Sequence, residues 1–123
     1  MEQPAFDLPP DSALTSTRSG LRYVVSREGP GKSPGPRDRV TVHYAGWLLD
    51  GTLFDSSYER GETIDFRLDQ VIPGWTEGVQ LMREGGIVKL VIPPELAYGR
   101  RGAPPDIGPN ATLLFQVELI RVG

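Results

Sequence analysis

The sequence predicts an α+β domain, an antiparallel sheet with one short helix over one face. Three observations carry this. Apolar and polar residues alternate over 21–26, 39–49, 52–54, 64–68, 86–92 and 111–122, the period-two pattern of strands. Only 74–82 spaces its apolar residues, Trp75, Val79 and Met82, as a helix does. No strand–helix–strand alternation occurs, so neighbouring strands are joined by turns and not by helical crossovers.

In chain order, residues 1–20 carry Pro4, Pro9, Pro10 and a Ser/Thr cluster without apolar periodicity, and are expected to form a flexible arm with Phe6 or Leu8 resting on the domain. The domain itself is expected over 21–123. Leu21, Tyr23 and Val25 open the first strand. Four glycines and prolines between Gly29 and Pro36 then forbid regular structure. In the next strand Val40, Val42 and Tyr44 face one side and Thr41, His43, Ala45 and Trp47 the other. Asp50-Gly51 ends it, because both residues tolerate the positive φ of a tight hairpin turn. The returning strand, 52–54, breaks at Asp55-Ser-Ser57. Gly85-Gly86 closes the helix, Pro93-Pro94 stops the strand after it, and 99–110 is a long loop rich in glycine and proline. The last strand places Leu113, Phe115, Val117 and Leu119 on one face.

Composition narrows the chemistry. The 123 residues suffice for one domain with a respectable core. A net charge of −3 argues against a general nucleic-acid binder. Basic residues predominate between 18 and 39, but sparsely, as on a solvated face. No cysteine and a single histidine, His43, leave no thiol nucleophile and no multi-histidine metal site. No stretch of 18 apolar residues suggests a membrane span. The start of the chain lacks a basic segment followed by an apolar run, so a cytoplasmic location is expected.

Three local motifs fail on inspection. Gly31-Lys32-Ser33 ends like a phosphate-binding loop, but Ser26 stands where that loop needs glycine, and Pro30 removes a backbone donor. Asn110-Ala-Thr112 fits a glycosylation sequon, which matters only in a secreted chain. Ser56 and Ser57 lack a recognisable base motif, and His43 reads as a hydrogen-bonded strand histidine.

What remains is a set of aromatic residues beside polar loops: Tyr44, Phe54, Phe66, Trp75, Tyr98 and Phe115. Their settings are Val40-Thr-Val-His-Tyr-Ala-Gly46, Asp50-Gly51, Phe54-Asp-Ser-Ser57, Val71-Ile-Pro-Gly-Trp-Thr-Glu-Gly-Val79, Leu96-Ala-Tyr-Gly99 and Ala111-Thr-Leu-Leu-Phe-Gln-Val-Glu-Leu119. Six such strings, in this order and spacing across about residues 20–122, closely resemble the FKBP-type peptidyl-prolyl cis–trans isomerases, the tacrolimus- and rapamycin-binding immunophilins.

The resemblance implies a five- or six-stranded antiparallel sheet wrapped around the helix, with an apolar pocket between them. It implies Trp75 as the floor under a substrate proline ring, and Tyr44, Phe54, Val71, Ile72 and Phe115 as walls. Asp55 and Tyr98 would be polar rim groups, with Tyr98 donating to a carbonyl and Arg60 pairing with Asp55. Trp75, Asp55, Tyr98 and Phe115 are thus the expected catalytic set. Ile64 stands where relatives often carry phenylalanine, and Ile107 matches an apolar loop residue that touches ligand. Ala103 and Asp106 differ from the histidine and isoleucine of the best-known eukaryotic members, and the 99–110 loop carries no inserted chaperone domain. The expected activity is rotation of X–Pro bonds in folding proteins, by a monomer needing no cofactor or metal. Proline-containing polypeptides are the expected partners, and tacrolimus and rapamycin the expected inhibitors.

Overall fold

The computed structural model describes residues 3–123. Seven strands form one antiparallel sheet among them: β1 (Thr15–Ser16), β2 (Arg22–Arg27), β3 (Arg39–Leu48), β4 (Leu53–Ser56), β5 (Ile64–Arg67), β6 (Ile87–Ile92) and β7 (Leu113–Val122). Their order is β1-β2-β6-β7-β3-β4, with β5 also paired to β3. The single sheet and its covering helix match the predicted α+β class, with one strand beyond the six segments read from the sequence. The extra strand is β1. Only two residues long, it offers no periodicity to read, and it lies within the stretch expected to be an arm.

β3 and β7 form the spine, paired from Val40–Val122 to Leu48–Leu113. Val40, Val42 and Tyr44 of β3, Val88, Leu90 and Ile92 of β6, and Leu113, Phe115, Val117 and Leu119 of β7 enter one core with α2 (Pro73–Val79). This short helix needs no side-chain cap. Pro73 stands at its start, where the missing N–H costs nothing, and the Thr76 hydroxyl donates to the Leu68 carbonyl at 2.5 Å. It lies close on β6: a Cβ at Gly78 would stand 2.6 Å from the Leu90 side chain, so the contact needs glycine. The helix is shorter than the 74–82 the pattern predicts, because its last turn tightens, with Leu81 N–H donating to the Gly78 carbonyl.

The opposite face of the sheet is also buried. Ala45, Trp47, Val91 and Leu114 form a second apolar cluster with Tyr58, against which Leu14 and Leu53 pack. Tyr58 comes from α1 (Ser57–Arg60), a single turn where the sequence showed only a break after Phe54. Residues 3–16 supply the rest of the cover. Phe6 meets Trp47 edge-on, with ring centroids 6.1 Å apart, and Lys89 Nζ donates to the Asp7 carboxylate at 2.8 Å.

Strand β3 has a gap on one edge. β5 pairs with it from Arg39 to Val42 and β4 from Ala45 to Trp47, leaving the His43–Tyr44 step without a strand partner there. The Ser57 side chain fills it. Its Oγ accepts from Tyr44 N–H at 2.7 Å, lies 3.2 Å from the Tyr44 carbonyl, and shares a 2.8 Å hydrogen bond with His43 Nδ1. Leaving buried backbone groups unpaired is costly, so this buried hydroxyl stands in for a rung of the ladder.

Candidate active site

Between α2 and the inner face of the sheet lies a cavity of about 450 Å³, lined by Tyr44, Phe54, Asp55, Phe66, Gln70, Val71, Ile72, Trp75, Tyr98 and Phe115. Trp75 is its floor. Tyr44, Phe66 and Phe115 stand edge-on to the indole, at centroid distances of 5.2, 5.4 and 5.5 Å and interplanar angles of 87°, 74° and 90°. Edge-to-face contacts set the positive rim of one ring against the negative face of another, which fixes the cage as well as burying it. Phe54 continues it, perpendicular to Phe115 at 5.5 Å. This pair depends on Gly46 of β3, where a Cβ would stand 2.7 Å from both phenylalanine rings.

One part of the rim is polar. The Tyr44 hydroxyl donates to Asp55 Oδ2, and Arg60, at the end of α1, donates to Asp55 Oδ1 at 2.7 Å and to the Tyr44 oxygen at 3.3 Å. The Arg60 guanidinium also sits 5.9 Å from the Tyr44 ring centre. The hydrogen bonds to Asp55 and Tyr44 hold the Arg60 proton more firmly than usual. Burial, then the hydrogen bond to Asp55, push the Tyr44 phenol up to about 12 against a smaller opposing effect of Arg60. Both Asp55 oxygens are therefore engaged within the protein. Tyr98, on the loop after β6, is 39% exposed and has no hydrogen-bond partner for its hydroxyl among the described residues. Burial of its ring, and secondly the charge of Asp55, raise its phenol above the ordinary value. At neutral pH the rim thus offers the neutral Tyr98 phenol, unengaged among the described residues, over an aromatic cage.

A family model described as FKBP-type peptidyl-prolyl cis-trans isomerase matches residues 31–120, which hold every one of these groups. The chain belongs to that family. It is 55% identical over 110 residues to a probable FKBP-type isomerase FkpA of Neisseria meningitidis, covering 89% of this chain and 40% of that protein. The crystal structure of FkpA from Escherichia coli superposes with a TM-score of 0.87 at 53% identity, over 91% of this chain and 52% of that one. A peptidyl-prolyl isomerase structure from Pseudomonas syringae gives 0.84 at 40% identity, over 90% and 81%. The chain thus spans about two fifths of the length of the curated FkpA relatives it matches.

Of the site residues expected from the FKBP resemblance, eight line the cavity: Trp75, Tyr98, Asp55, Phe115, Tyr44, Phe54, Val71 and Ile72. Arg60 stands just outside, reaching the rim through Asp55 and Tyr44. Ile64 and Ile107 are not among the lining residues. Ile64 is half-buried on β5 against the core, and Ile107 is buried in the same core, its backbone bridged to Ala103. Two further residues line it: Phe66, singled out in the sequence among the aromatic set but given no place in the pocket, and Gln70, which was not expected. Phe66 carried a signal, since it alternates with exposed Asp65 and Arg67 and so points inward from β5. Gln70 carried none, because it is the last residue of a turn of 3-10 helix, Leu68–Gln70, that no pattern announces.

Proposed function

We propose that this domain catalyses cis–trans isomerisation of X–Pro peptide bonds in polypeptides, seating the proline ring on Trp75. The observation that carries this is the cage itself: three aromatic edges around a buried indole, with a single unengaged phenol at the mouth. Rotation about an X–Pro bond crosses a barrier of roughly 18–20 kcal/mol, because twisting the amide removes its resonance. The twisted amide has lost charge separation, so apolar walls disfavour it less than they disfavour the planar ground state. Tyr98 then donates to the rotated carbonyl. About a thousandfold acceleration asks for roughly 4 kcal/mol, a sum within reach of desolvation and one held carbonyl. No bond to the substrate's heavy atoms is broken, and the scheme calls on no cofactor. The macrolides tacrolimus and rapamycin are proposed to compete for the same cage, and the domain to act as a monomer.

The test is an isomerisation assay on an Ala-Leu-Pro-Phe peptide with tacrolimus as competitor. Turnover that the drug suppresses is the expected result. Drug binding without turnover would replace the enzyme by a module that grips proline, and neither would remove both readings.

A further inference from the structure

A second hollow adjoins the cage. It holds about 520 Å³, is more open than the first, and is lined by Asp69, Val71, Pro73, Thr76, Glu77 and Gln80. Val71 lines both, so the two hollows meet across one residue. The helical period builds this wall. Gly74, Trp75, Gly78 and Val79 turn α2 towards the core, which leaves Pro73, Thr76, Glu77 and Gln80 aligned on another face. Two of its polar groups are engaged inside the protein: the Thr76 hydroxyl donates to the Leu68 carbonyl, and the Gln80 amide donates to the Thr76 carbonyl at 2.7 Å. The two carboxylates carry its charge. Asp69 shares its own with Arg67 at 2.9 Å, both side chains partly exposed. Glu77 accepts from the neutral Ser19 hydroxyl and has no cation within ion-pairing distance among the described residues. Apolar Val71 and Pro73 thus lie beside a negative charge that the protein leaves unmatched.

The chemistry of the reaction says what reaches this hollow. The carbonyl that rotates belongs to the residue before proline. With that carbonyl held by Tyr98 and the ring on Trp75, the chain that follows proline is free to leave across Val71. Two or three extended residues span roughly 7–10 Å, enough to pass from one hollow to the next. We propose that the second hollow is a subsite of the same substrate chain, taking a lysine or arginine two or three residues after the proline. The aliphatic stem of such a side chain lies on Val71 and Pro73 while its cationic head meets Asp69 and Glu77. This rests on the isomerase reading and adds a specificity to it. The attraction acts between partly exposed charges and is therefore modest and screened by salt.

The test uses end-capped peptides Ala-Ala-Ala-Leu-Pro-Phe-X-X-Ala, with Lys, Gln or Glu at both X positions, in a protease-free NMR exchange assay. A fourth peptide moves the two lysines to the first two positions and keeps alanine after the phenylalanine. Ratios of kcat/KM taken within one protein cancel any change in the cage. At low ionic strength Lys after proline is expected to exceed Gln by about two- to fivefold, with Glu below Gln, and the ratios should approach one near 1 M salt. In the double variant Asp69→Asn/Glu77→Gln the Lys:Gln ratio should fall to one or below. Equal rates on the Lys, Gln and Glu peptides in the parent would overturn the subsite and leave the isomerase intact. Lysines that help equally before and after proline would trace to the net charge of −3 and overturn it too. So would a Lys preference that survives the double variant. A parent inert on every peptide would overturn the isomerase reading and this one with it.

Discussion

The two faces of β3 present the same raw material in different arrangements. On the inner face Val42 and Tyr44 lead into an aromatic cage that stays open to solvent at Tyr98. On the outer face His43 stacks on Tyr58 with ring centroids 4.6 Å apart and an angle of 15°, while its Nδ1 is engaged by Ser57. Aromatic and polar groups thus meet on both sides, and the chain's one histidine lies on the closed side. The difference is cover. Residues 3–16 and α1 lie over the outer face, whereas the inner face, with α2 seated on β6, keeps a cavity of about 450 Å³ among its aromatic residues. A site needs unspent contacts, and only the inner face has them.

The largest expected effect comes from emptying the cage. Phe115 is 4% exposed and serves pocket and core at once, touching Tyr44, Phe54 and Trp75. Phe115→Ala should cost about 3–5 kcal/mol in stability, measured by urea unfolding, and lower kcat/KM by about 30-fold or more at a temperature where the variant is folded. Parent-like turnover would make it a core residue only.

Ser57 joins the two faces, so its removal asks whether the outer side supports the inner. Ser57→Ala leaves the buried Tyr44 N–H and carbonyl without their side-chain partner, and should destabilise by about 1–3 kcal/mol. Ser57→Thr keeps the hydroxyl and should recover most of that loss. If the alanine variant unfolds at the parent's urea midpoint, the hydroxyl is not a rung of the ladder.

Smaller still is the expected effect at the mouth. Tyr98→Phe should lower kcat/KM by a factor corresponding to about 1–2 kcal/mol, the loss of one hydrogen bond, with stability unchanged. Complete inactivation of the folded variant would instead mean an obligatory proton transfer. Least of all is expected from the outer strap: Phe6→Ala, at a ring 37% exposed, should cost about 0.5–1.5 kcal/mol and leave turnover as it was. A fall in turnover there would show that the outer face feeds the cage.

The same contrast explains what the sequence made legible. Long strands with a clear period, β3 and β7, could be read almost to the residue, since alternation follows directly from burying one face. The cage was legible because its residues sit in distinctive strings, most of all the one around Trp75. The cover was not. α1 is a single turn whose cap, Ser56 Oγ accepting from Glu59 N–H at 3.3 Å, cannot be told from a loop serine in the sequence. β1 and the strap hold by long-range contacts such as Lys89 with Asp7 and Arg22 with Asp11, and no local pattern announces those. Gly46 reads as any strand glycine until the two phenylalanine rings are seen lying over it.

The central claim is that the inner cage accelerates rotation by desolvation and one neutral donor, with no proton moved. The pH dependence of kcat/KM for a single Leu-Pro peptide tests it most directly. Both rim phenols are raised, Tyr44 to about 12 and Tyr98 in the same direction, so each stays protonated through the working range. The upper limit of that range is set by stability. Tyr44 and, on the outer face, Tyr58 both sit near 12 when folded and near 10 in model compounds. The folded state therefore holds its protons longer, and the stability they contribute, complete below pH 10, is lost as pH rises from 10 towards 12. Between about pH 6 and 9, where the fold is unaffected by these groups, kcat/KM should be flat. A tenfold rise or fall with a midpoint inside that window, in protein shown to remain folded, would contradict the account and assign the step to an acid or a base.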